Sequence, residues 1–388
     1  MGLFQEVTRG ELGRWFAARM PGTAAVAGEV AAAAASAVGR AGVVRPPRDQ
    51  RLGQRHWAEV GGVFGMRMAA VVEQAPPYYG LYGLVAAGLL SVDTAQRVAG
   101  SFPSHRDLSP TTRAWALDMR PSPSGWLELV QPQHDTDFRH GTGGRGWADE
   151  AVMELVERTG RYHDEHAPAG TVGGPGAERG LARVYGWWSA AEDIYRSGII
   201  SDDLNELLGA DAPTADMLRE LTAAAVVADT AALAQRLRTA GSLDALHALA
   251  GQPAAGSPLG CAGPVFVPHW ADGDLLVGDT LIDVKTVLRA DDPAKVGPWL
   301  WQVLAYAWLD SRSDHYRIRA VGLYLSRHGV LLRWPVDALA ARLLAHPKTG
   351  GSGVGAVRGE FLALAAAAAA RDGATVALRR SHPLTRHP

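Results

Sequence analysis

Two aspartates and a lysine in an apolar stretch have the residue types to do chemistry together. Asp274, Asp283 and Lys285 lie in the segment HWADGDLLVGDTLIDVKTV, residues 269–287. The chain has 38 basic residues, but lysine occurs only at 285, 295 and 348, so position 285 is an amine in a chain that otherwise uses arginine. Carboxylates bind hard divalent cations, and an ammonium neutralises charge developing on a phosphate. These residues indicate metal-assisted hydrolysis.

A predicted β-hairpin would position these residues. Gly278 and Asp279 separate the apolar runs DLLV and TLIDVKTV. Glycine tolerates positive φ at the first central position, so this dipeptide suits a two-residue hairpin turn. Such a turn sets Val277 opposite Thr280 and thereby fixes the register of both strands.

Counting outward from that turn places Asp274 opposite Asp283 and Asp272 opposite Lys285. Side chains alternate between the faces of a strand, so all four are expected on one face. Two opposed aspartates destabilise a sheet, and Mg²⁺ would compensate their charge. The alternative is an exposed hairpin face with a weak surface pair between Asp272 and Lys285. The apolar flanking residues favour a central hairpin.

The surrounding segments predict an α/β fold. Apolar or β-branched runs bounded by turn residues predict strands at 264–267, 274–277, 280–287, 318–326 and 330–334. The segment WLWQVLAYAWLD, residues 299–310, is apolar almost all round and predicts a helix buried against the sheet. Upstream, alanine-rich segments and chain breakers predict a mainly helical N-terminal region with a loop-rich insertion at about 101–148.

Asp274, followed by Asp283-Val284-Lys285 on the next strand, resembles the catalytic signature of the PD-(D/E)XK nuclease superfamily. The buried helix adds Gln302 and Tyr306, spaced i and i+4 on one helical face. This pair is similar to the Gln-x-x-x-Tyr motif of the RecB-like branch. The resemblance covers residues 264–334 in sequence order.

The resemblance implies a restriction-endonuclease-like mixed β-sheet core flanked by helices. It implies Mg²⁺- or Mn²⁺-dependent hydrolysis of double- or single-stranded DNA, with Asp274 and Asp283 as metal ligands. Lys285 would activate water or stabilise the transition state, and Gln302 and Tyr306 would position DNA or support the lysine. Members act in DNA repair and anti-phage defence, so a protein partner in a larger complex is a further expectation.

The chain departs from the family pattern in two places. Gly273 stands where a proline usually precedes the first acid. The family also has an acid or histidine on an earlier helix, and several residues compete for that role. Glu192 is the first choice, as a catalytic residue on the amphipathic helix predicted nearest the core. Glu59, Glu73 and His269 are the alternatives.

Composition and pattern predict three regions and a cytoplasmic protein. Residues 1–180 form the helical N-terminal region, 181–345 the nuclease-like core, and 346–388 an alanine-rich helix with a basic tail. The single cysteine, Cys261, excludes an intramolecular disulfide and fits a reducing compartment. The most apolar runs are short and rich in alanine, so no membrane is expected, and they are predicted to be surface or packing helices.

Two rival functions stay open on the sequence. One is a catalytically inactive nuclease fold that binds DNA or a partner protein without cutting. The other is a structural subunit whose acidic face binds a cation for stability alone. The sequence does not separate DNA from RNA or strand ends from interior sites, nor does it give the oligomeric state.

Overall fold

The computed structural model describes residues 2–47, 53–108, 146–209, 212–345 and 352–374. The chain divides into two compact units. The described part of the first, here called the sheet unit, comprises residues 2–45, 236–254, 259–345 and 352–374. The described part of the second, the helical unit, comprises residues 46–47, 53–108, 146–209, 212–235 and 255–258.

Helices make up most of both units. In chain order they are α1 (Leu3–Arg9), α2 (Glu11–Arg19), α3 (Thr23–Ala41), α4 (Gln54–Val72), α5 (Tyr78–Ala86), α6 (Val92–Ser101), α7 (Pro103–Arg106), α8 (Asp149–His166), α9 (Pro175–Ser197), α10 (Asp202–Leu207), α11 (Ala215–Glu220), α12 (Ala224–Thr239), α13 (Ser242–Leu249), α14 (Pro293–Asp310), α15 (Val336–Leu343) and α16 (Ser352–Arg371).

The strands found in the described ranges belong to the sheet unit. They are β1 (Gly260–Ala262), β2 (Val265–Val267), β3 (Ala271–Asp272), β4 (Leu275–Val277), β5 (Thr280–Lys285), β6 (Ala320–Leu325) and β7 (Val330–Pro335). A five-stranded sheet has the order β1-β4-β5-β6-β7, and β2 pairs with β3 separately. Among the strands of the described residues, β5 and β6 are the parallel pair, and α14 connects them. The predicted mixed α/β fold with a helical N-terminal region is confirmed.

The hairpin formed by β4 and β5 has the predicted register. Val277 lies opposite Thr280, and pairing continues to Leu275 opposite Ile282. Gly278 in the turn has φ of 57°, a conformation that residues with a Cβ adopt rarely. A Cβ at this position would also lie 2.3 Å from a backbone oxygen of α13. Glycine is therefore required at this turn for two independent reasons.

The predicted pairing of Asp272 with Lys285 is wrong. Asp272 pairs with Val265 in the two-stranded sheet. The backbone N–H of Gly273 donates to the carbonyl of Pro264 at 2.9 Å, which carries the chain away from the β4–β5 ladder. The register extrapolated beyond β4 therefore does not hold.

Helix α14 is buried along most of its length. Its N-cap is Asp292, whose side chain accepts a hydrogen bond from the backbone N–H of Ala294 at 3.0 Å. Near its middle, the ring of Trp301 stacks on Phe16 of α2 with centroids 5.7 Å apart. Phe16 also stacks on Trp308, one of the completely buried residues of α14. The buried helix predicted at 299–310 is confirmed.

The compact units divide the chain differently from the predicted boundaries at 180 and 345. Helices α1, α2 and α3 belong to the sheet unit, where Leu3, Phe16 and Val26 join one core with α14. The described residues from 181 to 235 belong to the helical unit. The reason is packing, because the apolar faces of the first three helices are buried by a helix distant in sequence.

The helical unit is built on close contacts of α9 with α4 and α5. Gly83 of α5 allows one of these contacts, since a Cβ there would lie 2.1 Å from the carbonyl oxygen of Ala191. Trp187 and Ile194 of α9 are almost completely buried in the same core. Hydrophobic packing between helices therefore accounts for this unit.

A buried ion pair also lies within the helical unit. Arg67 of α4 donates from Nε and Nη2 to the two carboxylate oxygens of Glu178 of α9, each at 2.8 Å. The carbonyl of Thr171 accepts from Nη2 at 3.2 Å, and the N–H of Gly173 donates to Glu178 at 2.7 Å. Both charged side chains are about 1% exposed or less. The pair is bidentate and almost wholly screened from water.

Two predicted segments lie mainly outside the described residues. These are the loop-rich insertion, whose residues 109–145 are not described, and the basic tail after residue 374. Among the described helices, Gly353–Arg371 is long and apolar enough by composition to cross a membrane. Helices α2 and α3 meet the same criterion of length and composition when taken together, but they are bent by 94° relative to each other. Phe361 and Ala365 of α16 lie in the core of the sheet unit, as expected of a packing helix.

Candidate active site

Asp283 and Lys285 share one face of β5. The side chain of Asp283 is 4% exposed, and Lys285 Nζ lies 2.6 Å from its Oδ2. Burial raises the pKa of Asp283, and the charge of Lys285 opposes that shift. Oδ2 accepts no hydrogen bond of good angular geometry from any described residue. The contact between Asp283 and Lys285 is therefore an ion pair of short distance and imperfect hydrogen-bond geometry.

Asp274 precedes β4 and approaches the same part of β5. Its Oδ2 accepts a hydrogen bond from the backbone N–H of Val284, at 2.6 Å. Although the residue is exposed, protein atoms crowd its carboxylate, and the pKa is raised first by this loss of hydration and then by the charge of Asp283. Lys285 lowers it only in part. The two carboxylates repel each other, and one ammonium does not balance them.

Lys285 is held by a chain of side chains from α14. Its Nζ donates to Gln302 Oε1 at 3.2 Å, and Gln302 Nε2 donates to the hydroxyl of Tyr306 at 3.0 Å. The ring of Tyr306 stacks on Phe266 of β2 with centroids 5.1 Å apart. The i, i+4 spacing places glutamine and tyrosine on one helical face, and that face meets the end of β5.

Two aromatic rings flank the ammonium of Lys285. Nζ lies 5.7 Å from the ring centroid of Phe4 on α1 and 5.9 Å from that of Trp299 on α14. Both distances fall within the range of cation–π attraction. Sequence reasoning missed Phe4, because nothing in the pattern of α1 indicates that it meets β5.

The structure brings together five of the six predicted catalytic residues. These are Asp274, Asp283, Lys285, Gln302 and Tyr306.

The upstream acids predicted as alternatives all belong to the helical unit. Glu192, the sixth predicted catalytic residue, accepts from Arg196 Nε at 2.5 Å within α9. Burial is the largest cause of a raised pKa at Glu59, and Glu73 is 6% exposed. His269 belongs to the sheet unit and has φ of 60°. A catalytic role for any of the four stays a prediction.

The sheet unit has a buried acid on its first helix that sequence reasoning did not single out. Glu6 of α1 is 4% exposed. Its Oε2 accepts from the backbone N–H of Glu11 at 3.1 Å, and Oε1 lies 3.8 Å from Arg371. Glu6 thus joins α1 to the start of α2, and its observed contacts are structural.

The pair Asp274 and Asp283 fits a divalent cation by its chemistry. Within the described residues no group of three or more His, Cys, Asp or Glu side chains could hold a metal. Mg²⁺ is commonly bound by one or two carboxylates and completes its shell with waters and substrate phosphates. The two carboxylates, whose combined negative charge is larger than the positive charge of Lys285, meet that requirement.

Comparisons with protein-family models, curated proteins and solved structures found no match to this chain.

Proposed function

We propose that the protein is a Mg²⁺- or Mn²⁺-dependent deoxyribonuclease with a restriction-endonuclease-like core of the RecB-like type. The observation that carries the proposal is that Asp274, Asp283 and Lys285 lie close together. The negative charge of the two carboxylates there is larger than the positive charge of the one ammonium. Repulsion between the carboxylates raises the free energy of the protein without ligands. A bound cation, together with a substrate phosphate, would reduce this repulsion.

Asp274 and Asp283 would hold the metal. A bound divalent cation supplies Lewis-acid stabilisation of phosphate oxygens and makes water more acidic. Lys285 contributes a compact positive charge that orients water or stabilises the negative charge developing on the phosphate. Its position depends on α14, since Gln302 accepts from Nζ at 3.2 Å.

Gln302 and Tyr306 act on the reaction through Lys285. The Gln302 side chain uses its oxygen for the lysine and its amide N–H for Tyr306. Hydrogen bonds at both the oxygen and the nitrogen of the amide therefore fix its orientation. We therefore assign both residues a positioning role, in line with a helix whose function is to aim the lysine.

The direct test is cleavage of linear and circular DNA, single- and double-stranded, in Mg²⁺, Mn²⁺ or EDTA. We expect cutting that requires the metal and is lost in Asp283→Ala and in Lys285→Ala. Asp279→Ala is the matched control, since this turn aspartate is 48% exposed and pairs with Arg333 at 3.1 Å. RNA of the same sequence tests the choice of nucleic acid.

Wild-type protein that binds DNA without cutting it in either metal would contradict the proposal. That result would favour an inactive binding subunit, acting alone or with a protein partner. Cleavage that persists in Asp283→Ala would place the active site elsewhere in the chain.

A further inference from the structure

Phe4 is half exposed although its ring lies within cation–π distance of Lys285. In the described part of the chain, the exposed large hydrophobic residues are Phe4, Val38 and Ile199. Phe4 is the aromatic one, and 50% of it is open to solvent. Its neighbour Leu3 is 1% exposed, so α1 buries one residue and presents the next.

The backbone beneath Phe4 is anchored to the sheet unit. The N–H of Leu3 donates to the carbonyl of Trp270 at 2.8 Å, and a Cβ at Gly2 would lie 3.2 Å from the same oxygen. The exposed ring is therefore held at the start of α1, with its centroid 5.7 Å from Lys285 Nζ. Trp299, the second aromatic at that ammonium, is 9% exposed and has little free surface.

A half-exposed aromatic ring beside an ammonium matches the chemistry of a nucleotide. The ammonium attracts the phosphate, and the ring offers a surface on which a base can stack. In a duplex both faces of an internal base are covered by its neighbours, so a protein ring stacks most readily on unpaired or splayed bases. The arrangement favours a strand that is single or frayed at this point.

We infer that Phe4 is a substrate-binding residue that stacks on an unpaired base next to the phosphate at Lys285. The inference deepens the proposed nuclease function and rests on it. It assigns single-stranded nucleic acid, or a frayed strand end, as the class of substrate that enters the site.

Binding is measured in Ca²⁺, which also takes carboxylate ligands, and in EDTA, so that this inference is tested apart from cleavage in Mg²⁺ or Mn²⁺ and apart from phosphate repulsion at the metal-free site. A short fluorescein-labelled oligothymidylate and an abasic strand of the same length are titrated with protein, and fluorescence anisotropy is recorded. We expect wild type to prefer the strand with bases. Phe4→Ala should weaken oligothymidylate binding roughly tenfold and leave abasic binding unchanged.

Three further variants complete the experiment. Phe4→Leu keeps apolar bulk but has no aromatic face, so it should bind as weakly as Phe4→Ala, whereas Phe4→Trp should bind as wild type does. Val38→Ala is the control, because Val38 is also an exposed hydrophobic residue, on α3 of the same unit. Thermal unfolding of each variant confirms that the fold is retained.

The results distinguish failure of this inference from failure of the proposed function. Equal affinity of wild type, Phe4→Ala and Phe4→Leu for oligothymidylate overturns the stacking role, even if the protein cuts DNA. No binding of oligothymidylate by wild type in either Ca²⁺ or EDTA also overturns it. Base-dependent binding that requires Phe4, without cleavage in Mg²⁺ or Mn²⁺, supports the stacking role and contradicts hydrolysis.

Discussion

In the helical unit one buried arginine meets one buried glutamate, whereas in the sheet unit two aspartates share one lysine. Arg67 and Glu178 are joined by two hydrogen bonds of 2.8 Å, and Arg67 Nη1 is the guanidinium nitrogen with no hydrogen-bond partner among the described residues. Burial opposes the charge of Arg67, but Glu178 outweighs it, so the arginine pKa is raised. The net charge of this pair is zero.

The sheet unit leaves charge unbalanced. Loss of hydration raises the pKa values of Asp274, which is exposed, and of Asp283, which is buried, and the charge of Lys285 only partly offsets these shifts. A buried ion pair of balanced charge stabilises the fold relative to either single substitution, because removing one partner leaves the other as an uncompensated buried charge. An unmatched group with raised pKa values is instead typical of a functional site. The difference predicts which substitutions will harm stability and which will harm activity.

The largest expected effect is on activity at Lys285. Lys285→Ala should lower kcat by roughly a thousandfold, about 4 kcal/mol in the barrier. Lys285→Arg should recover little of this, because a planar guanidinium does not replace a compact ammonium. Lys295→Arg, at an exposed position of α14, is the matched control and should be fully active. Full activity of Lys285→Arg would contradict the assigned role.

Breaking the matched pair should reduce stability next. Glu178→Gln should lower the free energy of unfolding by about 3 kcal/mol or more, because a buried guanidinium loses its counter-charge. Glu192→Gln on the same helix should cost only about 0.5 kcal/mol, since its pair with Arg196 is partly exposed. Denaturant unfolding measures the change in unfolding free energy for both variants. Equal decreases would contradict the proposed difference between the buried and the partly exposed ion pair.

A smaller effect should appear as pH dependence in the helical unit. Burial, and then the charge of Arg67, lower the pKa of His163 to about 4, below the ordinary histidine value of about 6.5. Between these values the unfolded chain binds more protons, so the free energy of unfolding falls as pH falls, by at most about 3 kcal/mol. The raised pKa values of Asp274 and Asp283 have the opposite sign, since stability there falls as pH rises.

His163→Gln isolates the histidine contribution. Its ring nitrogens contact the carbonyl of Ala167 at 2.9 Å and the hydroxyl of Tyr185 at 2.6 Å, and the amide of glutamine can replace part of that pairing. The difference in unfolding free energy between wild type and variant should shrink or reverse as the pH is lowered from 7 to 4. A difference that stays constant over that range would show that His163 does not titrate as its burial implies.

The hairpin and the polar face of α14 could be predicted from sequence because each follows from a local rule. A two-residue turn at Gly278 and Asp279 fixes the register, and i, i+4 spacing fixes the face of Gln302 and Tyr306. Asp272 could not be placed, because a backbone hydrogen bond at Gly273 ends the ladder.

The rest of the site depends on contacts between segments far apart in the chain. Phe4 reaches Lys285 because α1 is anchored to Trp270, and no local periodicity reports that contact. The first three helices joined the sheet unit for the same reason. Packing partners of amphipathic helices are a tertiary property, whereas turn type and helical face are local ones.

The most direct test of the account is calorimetric titration of Mn²⁺ into metal-free protein. Wild type should show saturable binding that Asp283→Asn removes and that Asp279→Asn, in the adjacent turn, leaves intact. Binding should also raise the unfolding temperature of wild type but not of Asp283→Asn, because a ligand stabilises only the state that binds it. Absence of saturable binding, or equal binding by wild type and Asp283→Asn, would contradict the claim that these carboxylates form a cation site.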